Sequence, residues 1–185
     1  MTLPIIQTGD PVLRAVARPL TPQEIQSEKI KTLIEQMRET MRAAPGVGLA
    51  APQIGESIQL VVIEDEATEA KTHLSAEELA KRERKPVPFN VLINPKFTGI
   101  GDERATFFEG CLSVDGFAAM TSRFRQVSVT ALNERGDEIR IDATGWYARI
   151  IQHEIDHLNG TIYIDRMDSK TFSTVANKAK YWDKV

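Results

Sequence analysis

Apolar residues recur at helical spacing from Ile30 through Leu33, Ile34 and Met37 to Met41, which predicts an amphipathic helix with one face on a core. Thr21 suits a capping position, Pro22 the first helical position and Glu24 the first turn, so this helix is expected over about 22–43. Pro45 and Gly46 stop it, and the small-residue run GVGLAAPQIG, residues 46–55, reads as an irregular loop. The pattern then changes to short apolar runs bounded by turn residues, predicting strands over 58–63, 89–97, 124–132 and 138–141. Asn133-Glu134-Arg135-Gly136-Asp137 is a turn signal that joins the last two as an antiparallel hairpin. A second helical stretch follows, with Asp142 or Thr144 as its cap and Gly160 as its end.

Two segments stand outside this pattern. Residues 65–86 are polar and charge-dense, with Ser75 and Glu78 spaced to cap a short helix; they read as a surface insertion, and His73 within them as a surface histidine. Residues 168–185 mix Lys with Phe172, Tyr181 and Trp182 and read as a C-terminal extension. At 185 residues and 42% hydrophobic, the chain is sized for one core, hence one domain over 1–185. A net charge of -3 with no long Lys/Arg run argues against sequence-specific nucleic-acid binding, and the lack of any apolar run of about 18 residues argues against a membrane span. The start MTLPIIQTGDPVLR lacks a secretory pattern, and the one cysteine, Cys111, cannot form an internal disulfide. A cytoplasmic location is therefore expected, or a mitochondrion or plastid if a leader is missing from this chain.

The candidate chemistry sits on the second helix, in Gln152-His153-Glu154-Ile155-Asp156-His157. Residues four apart share a helix face, so His153 and His157 can reach one ion while Glu154 lies at its edge. Only three histidines occur in the chain, which makes this placement a poor candidate for chance. Such a divalent ion turns water into a nucleophile near neutral pH, and Glu154 can carry the proton. Two histidines leave a tetrahedral ion short of a ligand. The third is Cys111, flanked by glycine in Glu109-Gly110-Cys111-Leu112-Ser113, or a carboxylate downstream of His157. In the 46–55 run, small residues let backbone lie against an extended ligand and Gln53 offers an amide donor; the run lacks the Lys-Ser/Thr ending of a phosphate loop.

Taken together, GVGLAAPQIG, EGCLS and QHEIDHLNG resemble, in that order, the three signature motifs of the peptide deformylases, with similarity from about Gly9 to Met167. EGCLSVDGF, with Asp115 where many bacterial members have proline, and GWYARIIQHE resemble the organellar-type branch. The resemblance implies an α+β fold, with antiparallel β-sheets wrapped around a central metal-binding helix and an N-terminal helix packed outside. It implies a metallohydrolase that removes the formyl group from N-formylmethionyl nascent peptides, with transient ribosome contact. On that pattern Cys111, His153 and His157 hold Fe2+, with Zn2+, Ni2+ or Co2+ suiting the same ligands; Glu154 moves the proton; and Gln53 with the Leu112 N–H stabilises the oxyanion. Val47, Gly48, Glu109 and Gly110 would line the peptide, Trp146 and Ile150 the methionine side chain, and a Glu109–Arg123 pair would hold the cysteine loop.

Two rivals make different demands. A zinc protease shares His-Glu-x-x-His but takes its third ligand downstream, where little chain remains, and leaves EGCLS unexplained. An idle relative that binds peptides or ribosomes would be expected to have lost a ligand or the acid-base residue, whereas Cys111, His153, Glu154, His157 and Gln53 are all present.

Overall fold

The computed structural model describes residues 2–183; Met1, Lys184 and Val185, the ends of the expected domain and extension, lie outside the described residues. Thr21 caps helix α1 (Pro22–Ile25) and exchanges bonds with Glu24 as a capping box. The chain does not continue as one helix to 43. The Ser27 side chain accepts from the Ile30 N–H and starts a second helix, α2 (Glu28–Ala43), so a second cap splits the predicted element. The loop expected over 46–55 is also regular: Gly48–Ala50 forms strand β1 and Ala51–Ile54 a 3-10 turn. Residues 48–53 are buried, and a buried backbone needs partners, which β1 finds by pairing Gly48 with Ile63 and Ala50 with Val61.

The remaining elements are β2 (Leu60–Asp65), α3 (Glu69–Thr72), α4 (Ala76–Lys81) with its Ser75–Glu78 capping box, and β3 (Val87–Gly99). Then come β4 (Arg104–Cys111), β5 (Val114–Phe124), β6 (Gln126–Leu132), β7 (Glu138–Thr144), α5 (Gly145–Leu158), β8 (Ser173–Thr174) and α6 (Val175–Tyr181). β4 and β5 escape the apolar pattern because charged side chains, Glu109 and Arg123, face inward and satisfy each other there. Their partnership lies across two strands and leaves no mark in the local sequence.

All strand pairs are antiparallel, in a five-stranded sheet of order β1-β2-β3-β6-β7 and a three-stranded sheet β4-β5-β8. β2 shows how the layers arise. Its Leu60 and Val62 pack with Ile30, Leu33, Ile34, Met37 and Met41 of α2, while Val61 and Ile63 turn to the opposite face and join Ile151, Ile155 and Leu158 of α5. A strand buried on both faces reads as a continuous apolar run, and each such side chain taken from water contributes roughly 1.5–3 kcal/mol. α5 also packs on β5 of the second sheet, so the sheets wrap around it, with α2 outside. This is the α+β arrangement expected.

Helix α5 starts after Thr144, whose side chain makes no capping bond; Asp142 lies inside β7 and caps nothing. Its end follows expectation: Gly160 has φ +69°, and a Cβ there would sit 2.4 Å from the Arg14 carbonyl oxygen, so only glycine lets the chain turn away. The segment over 65–86 carries α3 and α4, with exposed His73 closing α3, and it is anchored by Arg84 forking onto buried Asp65. In the C-terminal segment, Phe172 stacks on Phe117 with centroids 5.0 Å apart and Trp182 meets the Phe108 ring edge-on.

Candidate metal centre

Three distant pieces of chain meet at the C-terminal half of α5. The helix presents His153 and His157, β4 ends at Cys111, and the turn after β1 brings in Gln53. The Cys111, His153 and His157 ligand atoms all lie within 4.8 Å of one another, with Cys111 Sγ 3.3 Å from His157 Nε2. Two tetrahedral ligands with bonds of about 2.3 Å to sulfur and 2.0 Å to nitrogen stand about 3.5 Å apart, so this spacing fits one ion. No downstream carboxylate joins the cluster among the described residues. The donor set, one thiolate and two imidazoles, leaves a fourth position open and suits Fe2+, Co2+, Ni2+ or Zn2+ better than Mg2+ or Ca2+.

The electrostatics favour a cation. Burial works against charge on His153, but Cys111 and Glu109 outweigh it and hold the imidazole well above its ordinary range. His157 is fully buried and is pushed well below its ordinary value by that burial, with the charges of His153 and Arg123 adding to it, and its Nε2 lies 3.3 Å from the sulfur. His153 Nδ1 lies 3.1 Å from Glu109 Oε2 and donates to it, which leaves Nε2 for the ion.

Glu154 lines the same cleft as Cys111 and His153, 4% exposed, with Oε2 lacking any hydrogen-bond partner among the described residues. An orphaned carboxylate oxygen beside three ligands marks a place for a polar guest. Burial pushes its carboxyl up to about 7, opposed by His153 and Arg123 and aided by Glu109 and Asp156. Such a group exchanges protons at neutral pH. Gln53 is held in one orientation: its Oε1 accepts from the Ala50 N–H at 2.9 Å, so its Nε2 points toward Ser113 Oγ at 3.2 Å and Cys111 Sγ at 3.5 Å.

Beneath the ligands lies a buried ionic network. Glu109 accepts from Arg123 Nε and Nη2 at 3.0 and 2.9 Å, from Arg149 Nη1 and from His153. Arg123 also reaches Asp156, which Arg166 grips with two bonds. Burial alone would raise the Glu109 carboxyl; the hydrogen bonds from His153 and Arg123 overcome it and hold it below the ordinary carboxylate range. Asp156, which the sequence marks only as one residue of the helix motif, is a member of this network. Arg149 was missed altogether, although a charged residue on the stripe of Trp146, Ile150 and His153 is itself a signal.

A cleft of about 320 Å³ opens over the site. Val47, Gly48, Gln53, Glu109, Gly110, Cys111, Leu112, Trp146, Ile150, His153 and Glu154, all predicted from sequence, line it together with Asp115, Phe117 and Val175; His157 lies below it. The Glu109 carboxylate is fully taken by protein partners, so what it offers a ligand is backbone. Gly48 is packed so closely that an added Cβ would fall 2.3 Å from Glu154 Oε1.

The fold and site together define an α+β protein in which a Cys-His-His cluster able to hold a metal ion is built on a largely buried helix. The family model described as polypeptide deformylase matches residues 2–173. The chain is 49% identical over 173 residues to the chloroplastic peptide deformylase 1A of Solanum lycopersicum, covering 94% of this chain and 62% of that protein. It is 46% identical over 180 residues to peptide deformylase 3 of Streptomyces avermitilis, covering 97% and 78%. Among solved structures, the class I type b peptide deformylase of Acinetobacter baumannii with bound Met-Ala-Ser superposes with a TM-score of 0.79 at 28% identity, over 90% of this chain and 99% of that one. This chain belongs to the polypeptide deformylase family. Its relatives include both chloroplast and bacterial forms, and no helix among the described residues is long and apolar enough to cross a membrane.

Proposed function

We propose that this protein hydrolyses the formyl group from N-formylmethionyl nascent peptides, releasing formate and a free amine. The observation that carries the reading is the convergence of Cys111, His153 and His157 beside Glu154, a buried carboxylate with an unpartnered oxygen. Fe2+ is the ion in this reading, with Zn2+, Ni2+ and Co2+ suited to the same donors. When bound, the ion supplies Lewis acidity, which makes water nucleophilic near neutral pH and polarises the formyl oxygen.

The chain's own residues do the rest. Glu154 accepts a proton at Oε2 from the attacking water and returns it to the amide nitrogen as the C–N bond breaks. Gln53 Nε2 and the Leu112 N–H donate to the formyl oxygen as it gains charge. Backbone at Val47, Gly48 and Gly110 lines the peptide as an added strand, which reads main chain and accepts many sequences. Trp146 and Ile150 wall the methionine side chain. Substrates of this kind emerge from the ribosome, so transient ribosome contact belongs to the same reading. A cytoplasmic setting suits the lone thiol, with an organelle matrix as the alternative location.

The direct test is formate release from formyl-Met-Ala-Ser by an anaerobic, Fe2+-loaded preparation, with acetyl-Met-Ala-Ser as control. Release from the formyl peptide alone is expected; none at full metal occupancy would sink the proposal and make peptide binding the remaining role. Two substitutions probe the mechanism. Gln53→Ala should lower kcat by about 100-fold, the scale of about 3 kcal/mol for one oxyanion donor, with metal content unchanged. Normal turnover would remove Gln53 from the mechanism. Gly48→Ala forces Glu154 out of place, and displacement by about 1 Å can cost on the order of 100-fold in rate. Its kcat should fall well beyond what any drop in Tm explains.

A further inference from the structure

We propose that Arg149 is a positioning residue that ties the apolar wall of the cleft to the carboxylate orienting His153. Its side chain is 4% exposed and belongs to α5, one turn before the first histidine. One planar guanidinium makes both connections. Nη1 donates to Glu109 Oε1 and, at 2.9 Å, to the Thr121 carbonyl, while Nη2 donates to the Ala105 carbonyl. The same group lies 5.6 Å from the Trp146 ring centroid and 5.3 Å from that of Phe107, and those two rings pack edge-on at 6.1 Å. A rigid fork held at three acceptors and against two rings cannot shift without moving Glu109 or Trp146.

Charge balance argues that this arginine does more than neutralise its neighbours. Glu109 and Asp156 already face buried Arg123 and, at the rim, half-exposed Arg166, two acids against two bases, so Arg149 is a surplus cation in the network. An extra buried charge is costly, and packing alone would favour an apolar residue here. What Arg149 adds is the fourth hydrogen bond on Glu109, which fills the carboxylate's acceptor sites and limits how far it can turn or pull on the His153 Nδ1 proton. The basicity of the imidazole nitrogen that would face the ion, and the seat of the ring, then depend on one of the three arginines, with Arg82 and Arg84, that pack against Trp146.

The test uses Co2+-loaded wild-type protein and Arg149→Met, which keeps length and removes the fork. Readouts are the Co2+ visible absorption, Co2+ affinity, Tm, and kcat and KM for formyl-Met-Ala-Ser against formyl-Ala-Ala-Ser. Arg149→Met is expected to shift the absorption band, weaken Co2+ binding by about 10- to 100-fold, and narrow the preference for methionine. Arg149→Lys carries the same expectations, because one ammonium cannot span three acceptors, and it serves if the Met variant does not fold. Wild-type absorption, affinity and discrimination in a folded variant, even with a lower Tm, would reduce Arg149 to packing and overturn the proposal. The peptide measurements rest on the deformylase reading; the Co2+ measurements do not. A shifted Co2+ band with no turnover in the wild type would therefore sink that reading and leave the role of Arg149 standing.

Discussion

The Glu154→Gln protein is expected to keep its metal and to lose deformylase turnover by about 100- to 10,000-fold, the usual worth of a positioned acid-base group. Glutamine preserves the shape of the side chain, which matters because Glu154 is 4% exposed and Gly48 packs against its carboxylate. The ligands Cys111, His153 and His157 are untouched, so metal analysis should show full occupancy. What disappears is the acceptor for water's proton and its delivery to the leaving amine. The pH profile gives an independent check. The base must be ionised, so wild-type kcat/KM should rise with pH as Glu154 deprotonates; burial places that carboxyl at about 7, and a cation in the site draws it lower. The acid limb should therefore have its midpoint at or below 7, and the residual rate of Glu154→Gln should lack it. A variant with normal turnover would remove Glu154 from the proton path.

Arg123→Met is the substitution expected to cost most in stability, about 3–5 kcal/mol, or a fall in Tm of roughly 10 °C for a chain of this size. Arg123 is 3% exposed and spans two carboxylates on two elements, Glu109 of β4 and Asp156 of α5. Methionine fills similar space, so the deficit comes from two buried acids stripped of a shared cation. The sign of the pH dependence follows from Glu109. Its folded-state carboxyl lies below the ordinary range, so its ionic contribution is present above the unfolded value, about 4.3, and is lost as pH falls toward the folded value. The gap between wild type and variant should thus be full at pH 7 and narrow below about pH 4. Thermal melts across that range decide the matter: a gap independent of pH would assign Arg123 a packing role. Because Glu109 also holds His153, the variant should bind metal more weakly as well.

Much of the molecule is written locally. The 3.6-residue period of Ile30 to Met41 marks α2 and its buried face, the alternation around Asn133–Asp137 marks the β6-β7 hairpin, and the i, i+4 spacing of His153 and His157 places two donors on one side of α5. Capping followed the same logic at Thr21 and at Ser75. The departures occur where a local rule met a second local rule, as when Ser27 split the first helix, or where burial supplied partners, as when Gly48–Ala50 within the 46–55 run paired with β2 as a strand.

The sequence by itself determined which residues could bind a metal, which could move a proton, and that α5 would carry two of the candidate ligands, because these depend on chemistry and spacing within a turn or two. Only the tertiary structure decided that Cys111 closes the site across 46 residues of chain, that Gln53 turns its amide toward the sulfur, and that Arg149 and Asp156 join Glu109 and Arg123 beneath it. Such contacts are made by folding two sheets around one helix. A charge buried against a distant partner looks, in the chain, like any residue left at the surface.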